Sequence, residues 1–293
     1  MKQFLRAIGW TIFSIAALLG VLFLYVEITS DFRLENITYE DASRYHALAT
    51  SEPIPSQLTS ILDQPFTYLG RGHQAFVFAS ADGRYVLKFF RFWRLKPWNI
   101  VSYVDFLPVV SSYEQKRLRR LTKLFTGYEV AYQKDPENTG LVYLHLGVTQ
   151  HLKKKISVSD RWGFHHQINL DTVCFAIQKR GEMTKDRLRR HLDAGDITEA
   201  KKDFQRLLAM YIAQYQNGVI DQDHNLIYNT GFVGDQAIRL DIGQLKYDET
   251  VKDPVVYEKD LNIIVNKRIA YWLHRYYPQY ADEILADLAV SVP

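Results

Sequence analysis

The chain has 293 residues, of which 47% are hydrophobic and 24% charged, with a formal net charge of +3. That is enough apolar material for one large packed domain or two small ones, and it excludes a disordered or fibrous class. The charge is too small to imply nucleic acid as a partner, and the sequence carries neither a basic tail nor an RNA-binding aromatic motif. The single cysteine, Cys174, has no partner for an internal disulfide, so cysteine usage does not report the compartment. Its flanks, Leu170 to Ile177, read as a buried strand, the usual setting of a free thiol.

No charged residue occurs between Ala7 and Val26. At the helical rise this run covers about 30 Å, the thickness of a bilayer's hydrocarbon core. Trp10 and Tyr25 stand near its ends, where amphipathic rings prefer the membrane interface. Tyr25 to Asp31 offers no small-x-small cleavage site, so residues 1–30 are expected to be a retained single-pass anchor, with the lipid bilayer as partner. Lys2 and Arg6 precede the run, and only Arg33 follows closely. This small bias favours a non-cytoplasmic domain, and the side stays open. Asn36-Ile37-Thr38 forms a glycosylation sequon, which matters only in a secretory pathway. Residues 31–62 are expected to be a polar stalk, with Pro53 and Pro55 blocking regular structure.

A β-rich lobe with one long helix is expected over residues 63–182. Phe66 to Leu69, Ala75 to Ala79 and Tyr85 to Phe90 are strand-like, the last two joined through Asp82-Gly83, which predicts a type I′ turn. Residues 91–110 mix aromatic and basic side chains, including Arg91, Trp93, Arg94, Lys96 and Trp98; Pro97 and Pro108 favour packing on the domain over a membrane-surface helix. Ser111 to Lys134 has helical apolar spacing. Leu141 to Leu146, a hairpin of Ile156–Val158 with His166–Leu170, and Thr172 to Gln178 supply further strands. Residues 183–293 are expected to be a helical lobe. Lys201 to Gln216 carries an apolar stripe of Phe204, Leu207, Leu208, Tyr211 and Ile212, and residues 256–288 are again helical. A short strand at Ala237 to Leu240 leads into Asp241-Ile242-Gly243. The order suggests an α+β fold of two lobes.

Four local signals carry chemistry. Gly70-x-Gly72 lies between two strands, where backbone N–H groups can approach phosphate without side-chain obstruction. Lys88 stands on the strand after the hairpin. Asp221-Gln222-Asp223 and Asn229 follow a helix, and Asp241 follows a strand. A carboxylate and an amide oxygen together suit Mg²⁺, a hard cation.

In this order, over residues 65–250, the chain resembles the protein-kinase-like superfamily. Leu69-Gly70-Arg71-Gly72-His73-Gln74-Ala75-Phe76-Val77 is similar to the Gly-rich loop, with Ala75 at the third glycine. Lys88 matches the strand lysine of the superfamily, and its helix partner is then Glu129 or, nearer in sequence, Glu114. Gln178 to Gly181 falls at the hinge, which makes Gln178 a nucleotide-binding residue. Gly218 to Asp223 resembles the segment ending in HRD, and Asp241-Ile242-Gly243 resembles DFG. The resemblance implies a two-lobed protein-kinase-like fold after a transmembrane helix, with ATP and Mg²⁺ as cofactors. Gly70, Gly72, Lys88, Glu129 and Gln178 would hold the nucleotide, and Asn229 and Asp241 the metal. Asp223, or alternatively Asp221, would serve as catalytic base. The HRD histidine and arginine are absent, Asn229 lies one position further on than usual, and no APE motif follows Gly243. The expected function is a membrane-anchored ATP-dependent phosphotransferase of unknown acceptor. A nucleotide-binding pseudokinase is the alternative, and an envelope protein without a site the third reading.

Overall fold

The computed structural model describes residues 2–29, 31–38, 54–92, 108–221 and 223–291. Residues 39–53 of the expected stalk, the aromatic and basic stretch 93–107, and Gln222 lie outside the described residues. So does the side chain of Glu114.

Helix α1 runs from Lys2 to Thr29. Its large apolar side chains are exposed, from Trp10 at 70% to Leu24 at 58%. Among the described residues, no helix is long and apolar enough to cross a membrane. The next segment is not the solvated stalk the sequence suggested. A single helical turn, α2 (Leu34–Ile37), and helix α3 (Ser56–Leu62) lie against the sheet. Phe32, Ile37, Leu58, Ile61 and Leu62 are buried there. Polarity averaged over residues 31–62 concealed these well-spaced apolar residues, and burial of each favours docking by roughly 1.5–3 kcal/mol. Asn36 of the sequon is buried, and its Nδ2 donates to the Asp31 carbonyl at 2.7 Å, so it is not an accessible glycan acceptor.

Strands β1 (Phe66–Arg71), β2 (Ala75–Ser80) and β3 (Tyr85–Phe90) form an antiparallel meander. The β2–β3 link is longer than the expected type I′ turn. Pairing stops at Ala79↔Val86, and of the linking residues only Gly83 has positive φ, +70°. Type I′ requires positive φ at both central residues. Helix α4 (Pro108–Lys134) and the short α5 (Pro136–Thr139) precede β4 (Leu141–His145). Strands β5 (Lys155–Ser159) and β6 (His165–Asn169) form the expected hairpin, and β7 (Phe175–Lys179) completes the sheet. The order is β4-β7-β3-β2-β1-β5-β6, with β5 parallel to β1.

Alternation along β3 divides the packing between the two faces. Leu87 and Phe89 join the core shared with α3 and Phe32, whereas Phe90 joins the core under α4. Lys88 lies on the same face as Phe90, facing α4 and the second lobe. Cys174 is buried, as its flanks suggested, and burial pushes its thiol up to about 12.

Strand β8 (Glu182–Met183) leads into the second lobe. Its helices are α6 (Thr184–Asp193), α7 (Ile197–Gln216), α8 (Leu226–Asn229), α9 (Pro254–Ile263), α10 (Ala270–Tyr276) and α11 (Pro278–Ser291), with a π-helical stretch, Ile264–Ile269, between α9 and α10. The stripe read on α7 is buried at Phe204, Leu207, Leu208 and Tyr211, at the centre of a separate core. Two small sheets complete the lobe. Strands β9 (Val219–Asp221) and β12 (Leu245–Tyr247) pair, and β10 (Thr230–Val233) pairs with β11 (Gln236–Arg239) and with β8. The described residues thus make a mixed α+β fold of two lobes; the helical lobe has a core of its own, and the core under α4 also takes in Val219, Ile242 and Leu245.

Candidate active site

A cleft of about 890 Å³ separates the lobes. Its upper wall is the β1–β2 turn with Gly70 and Gly72, and its inner wall carries Val86, Lys88 and Gln178. Glu182 and Met183 of the crossing segment line its side, and Asn229, Leu240 and Asp241 its floor. The positions singled out at Gly70, Gly72, Lys88, Gln178, Asn229 and Asp241 all line this one cleft.

The β10–β11 hairpin explains how two floor residues so far apart in sequence meet. Thr230 pairs with Arg239, so the residues just outside the pair, Asn229 and Leu240-Asp241, are neighbours. The Asn229 carbonyl accepts the N–H of Leu240 at 2.7 Å and of Asp241 at 3.1 Å. The hairpin turns at Gly234, with φ +60°. Gly234-Asp235 between Phe232-Val233 and Ala237-Ile238 was the sequence signal for it, and the strand reading caught only its second half.

Lys88 bridges the lobes. Its Nζ donates to the Leu240 carbonyl at 2.7 Å, next to Asp241. Burial lowers its pKa to about 8, against the opposing pull of the Asp241 charge. Its expected partner Glu129 is not the acceptor. Neighbouring residues on a helix point about 100° apart. On α4 it is Tyr128, not Glu129, that lines the cleft. Burial, and then the Asp241 charge, push the Tyr128 hydroxyl well above its ordinary range.

Gly70 and Gly72 leave open space around their Cα atoms; nothing stands within 4 Å of a Cβ built at Gly70. The turn is held from outside, where Gly72 donates to the Ala75 carbonyl at 2.9 Å and Arg91 Nη1 donates to the Gly72 carbonyl at 2.5 Å. Gln178 is buried. Its Nε2 donates to Thr139 O at 2.6 Å and Arg239 O at 2.8 Å, while its Oε1 has no hydrogen-bond partner. Buried polar atoms are normally satisfied, so this cleft-lining residue retains an acceptor for a ligand N–H.

The two base candidates separate. Asp221 is buried and lies outside the cleft, its Oδ2 taken by the buried Arg239 guanidinium at 2.5 Å. Gln214 Oε1 accepts from the same guanidinium, and Asp221 Oδ1 accepts the Asp223 N–H. Asp221 is therefore a structural anion and not a base. Asp223 is exposed, and its Oδ2 accepts from Asn229 Nδ2 at 2.9 Å, at the edge of the floor.

The sequence did not point to Gly127. A Cβ there would lie 2.7 Å from the Ile242 carbonyl oxygen and 2.9 Å from the Gly243 carbonyl carbon. Glycine lets α4 rest directly on the Asp241-Ile242-Gly243 backbone. Gln74 covers the other side of Gly243, its Oε1 lying 2.0 Å from where a Cβ would stand.

Among the described residues, no group of three or more His, Cys, Asp or Glu is placed to hold a metal ion by itself. Mg²⁺ asks for less, since it takes one or two protein carboxylates and completes its shell with water and substrate phosphate. Asp241 and Asn229, which both line the cleft, offer oxygens of that kind.

The two lobes thus enclose one cleft that Lys88 and Asp241 both line. No family model matches the sequence, and no curated protein matches it. Among solved structures the chain is similar to WbdD, with TM-score 0.38 and 14% identity over 75% of this chain and 44% of that one. Another WbdD structure, described as a bifunctional kinase-methyltransferase, gives TM-score 0.35 and 14% identity over 75% and 43% of the two chains. The complex of Rv3197 with erythromycin from Mycobacterium tuberculosis gives TM-score 0.35 and 15% identity over 98% and 73%. The chain spans less than half the length of the WbdD structures. Likeness at this level carries no statement about activity or ligand.

Proposed function

We propose that this chain is a membrane-anchored phosphotransferase that uses ATP and Mg²⁺ to phosphorylate an acceptor hydroxyl. The reading rests on one observation: the Lys88 amine meets the Leu240-Asp241 backbone across a cleft roofed by an open glycine turn. Bound Mg·ATP supplies the transferable phosphoryl group and the metal charge. The chain's part is positioning and charge neutralisation, which is most of what such reactions require. Gly70 and Gly72, with no side chain, let the backbone of the turn come close to phosphate. The Lys88 cation offsets phosphate charge, Asp241 and Asn229 hold the metal, and Gln178 Oε1 accepts from the nucleotide base. Asp223 orients the acceptor hydroxyl and takes its proton. The exposed apolar side chains of α1 support a helix seated in a bilayer rather than in water, since burial of each favours insertion.

The pseudokinase alternative has one observation in its favour: Asp223 is already hydrogen-bonded to Asn229 and lies at the rim of the floor. Calorimetric titration of the purified chain with Mg·ATP, together with a phosphate-release assay, separates the readings. We expect Asp241→Ala to abolish Mg²⁺-dependent nucleotide binding, and Asp223→Asn to retain binding but lose turnover. Equal Mg·ATP affinity in Asp241→Ala and the wild type would refute the metal assignment. Binding without turnover in the wild type would leave the pseudokinase.

A further inference from the structure

The tip of the β5–β6 hairpin presents two large aromatic side chains to solvent, Trp162 at 68% and Phe164 at 67% exposure. The turn that carries them is closed by hydrogen bonds. Asp160 Oδ1 accepts the N–H of Trp162 at 2.9 Å and of Phe164 at 3.0 Å, and Asp160 Oδ2 meets His166 Nε2 at 2.9 Å. The Asp160 N–H donates to the Phe164 carbonyl at 2.9 Å, and Gly163 takes φ +85°. The Arg161 guanidinium lies 4.5 Å from the Trp162 ring centroid and holds the indole in place. Two large rings exposed on one turn make an apolar surface of the kind that interaction sites use.

A second contact ties the hairpin tip to the end of α1. Arg161 Nε forms an ion pair with Asp31 Oδ2 at 2.7 Å. Asp31 stands just beyond the end of α1 at Thr29, and is itself held by the neighbouring Phe32, whose ring packs edge-on against Phe76, Phe78 and His166. Two residues of chain span at most about 7 Å. The hairpin tip is therefore tied to the point where the chain leaves α1, whatever tilt that helix adopts. If α1 sits in a bilayer, that point is the membrane interface, the zone that Trp and other amphipathic rings prefer.

We propose that Trp162 and Phe164 insert into the interfacial layer of the same bilayer that holds α1, forming a second contact that fixes how the domain stands on the membrane. The occupant is the lipid interface itself, with no particular headgroup required, because the display is apolar. This rests on the reading of α1 as membrane-seated, and the test reports on the two separately.

The full chain is reconstituted in phosphatidylcholine vesicles containing lipid brominated at shallow or at deep acyl positions, and tryptophan quenching is read. Trp10→Phe removes the report from α1, and Trp162→Phe removes the report from the hairpin; both positions are exposed, so the fold tolerates either change. The expected result is loss of a distinct quenched component in Trp162→Phe, quenched more by shallow than by deep bromines. Loss of quenching in Trp10→Phe alone, with none attributable to Trp162, would overturn the proposal while leaving the anchor intact. No quenching in any variant would overturn the anchor and the proposal with it. Trp162 protected from aqueous acrylamide but not quenched by lipid would assign the tip to a protein partner and also overturn the proposal.

Discussion

The Asp221 carboxylate is paired with the Arg239 guanidinium entirely inside the protein, below the floor of the cleft. Arg239 also meets Gln214 Oε1 at 2.8 and 3.0 Å, so strand β11 is bound to helix α7 and strand β9 through one cation. This pair holds the β10–β11 hairpin in place, and the hairpin sets Asn229 beside Asp241.

Breaking such a pair by removing one partner strands a buried charge and costs about 3–5 kcal/mol. Asp221→Ala is therefore expected to unfold at markedly lower denaturant concentration than the wild type. Asp223→Ala, at an exposed position, is expected to stay within about 0.5 kcal/mol. Equilibrium denaturation of both variants checks this. Equal midpoints for the two would show that the buried pair is not what holds this region.

If Lys88 offsets phosphate charge as proposed, its pKa sets a pH limit on that binding. Burial brings its pKa down to about 8, so the amine is charged below that value and neutral well above it. Mg·ATP affinity is expected to fall as pH rises from 7 through 9, and Lys88→Gln is expected to bind weakly with that dependence gone. Titration calorimetry across the range reads it. A variant with the wild-type pH profile would assign the dependence to another group.

Gly127→Ala sets two effects against each other. Alanine improves the helix by about 1 kcal/mol. Its Cβ, however, would stand 2.7 Å from a backbone oxygen that has no rotamer to relieve it, and overpacking of this kind costs roughly 1–3 kcal/mol. We expect a net loss of stability together with weaker Mg·ATP binding, because α4 is pushed off Asp241-Ile242-Gly243. Thermal melts with and without Mg·ATP read both. A stabilised variant with unaltered binding would show that the close approach is not needed.

His224 gives the second lobe a pH dependence of its own. Its hydrogen bond to Asp260, 2.7 Å from Nε2 to Oδ1, raises its pKa above 6.5. The charged form is favoured by folding, so its stabilisation is fully present below pH 6.5 and is lost as pH rises through the raised value. Melting temperature is expected to decline over that window in the wild type, and His224→Gln is expected to flatten the decline. An unchanged slope in the variant would place the titration elsewhere.

Local chemistry made much of this protein legible in the sequence. The charge-free run near the N-terminus, the period-two pattern of Tyr85 to Phe90 and the stripe on residues 201–216 each arise from side chains a few positions apart. Their elements formed close to where the pattern placed them. The glycine turn, Lys88, Asn229 and Asp241 were each picked out by a local signal and by the resemblance, and all line one cleft. What the sequence left open was contact between distant segments. Asp221 and Asp223 are near-identical as text, and only the packing of Arg239 beneath one of them assigns it a structural task. Glu129 carries the right charge for Lys88, but the residue of α4 that lines the cleft is Tyr128. Phe32 and Ile37 sit in a polar stretch, and the exposed sheet face waiting for them appears only after the meander has folded. Gly127 bears no mark of its role, because the backbone it admits lies more than a hundred residues away. Period and turn propensity are short-range properties of a chain, whereas ion-pair choice, helix rotation and close backbone approach depend on which surfaces meet, and that is decided by the tertiary structure.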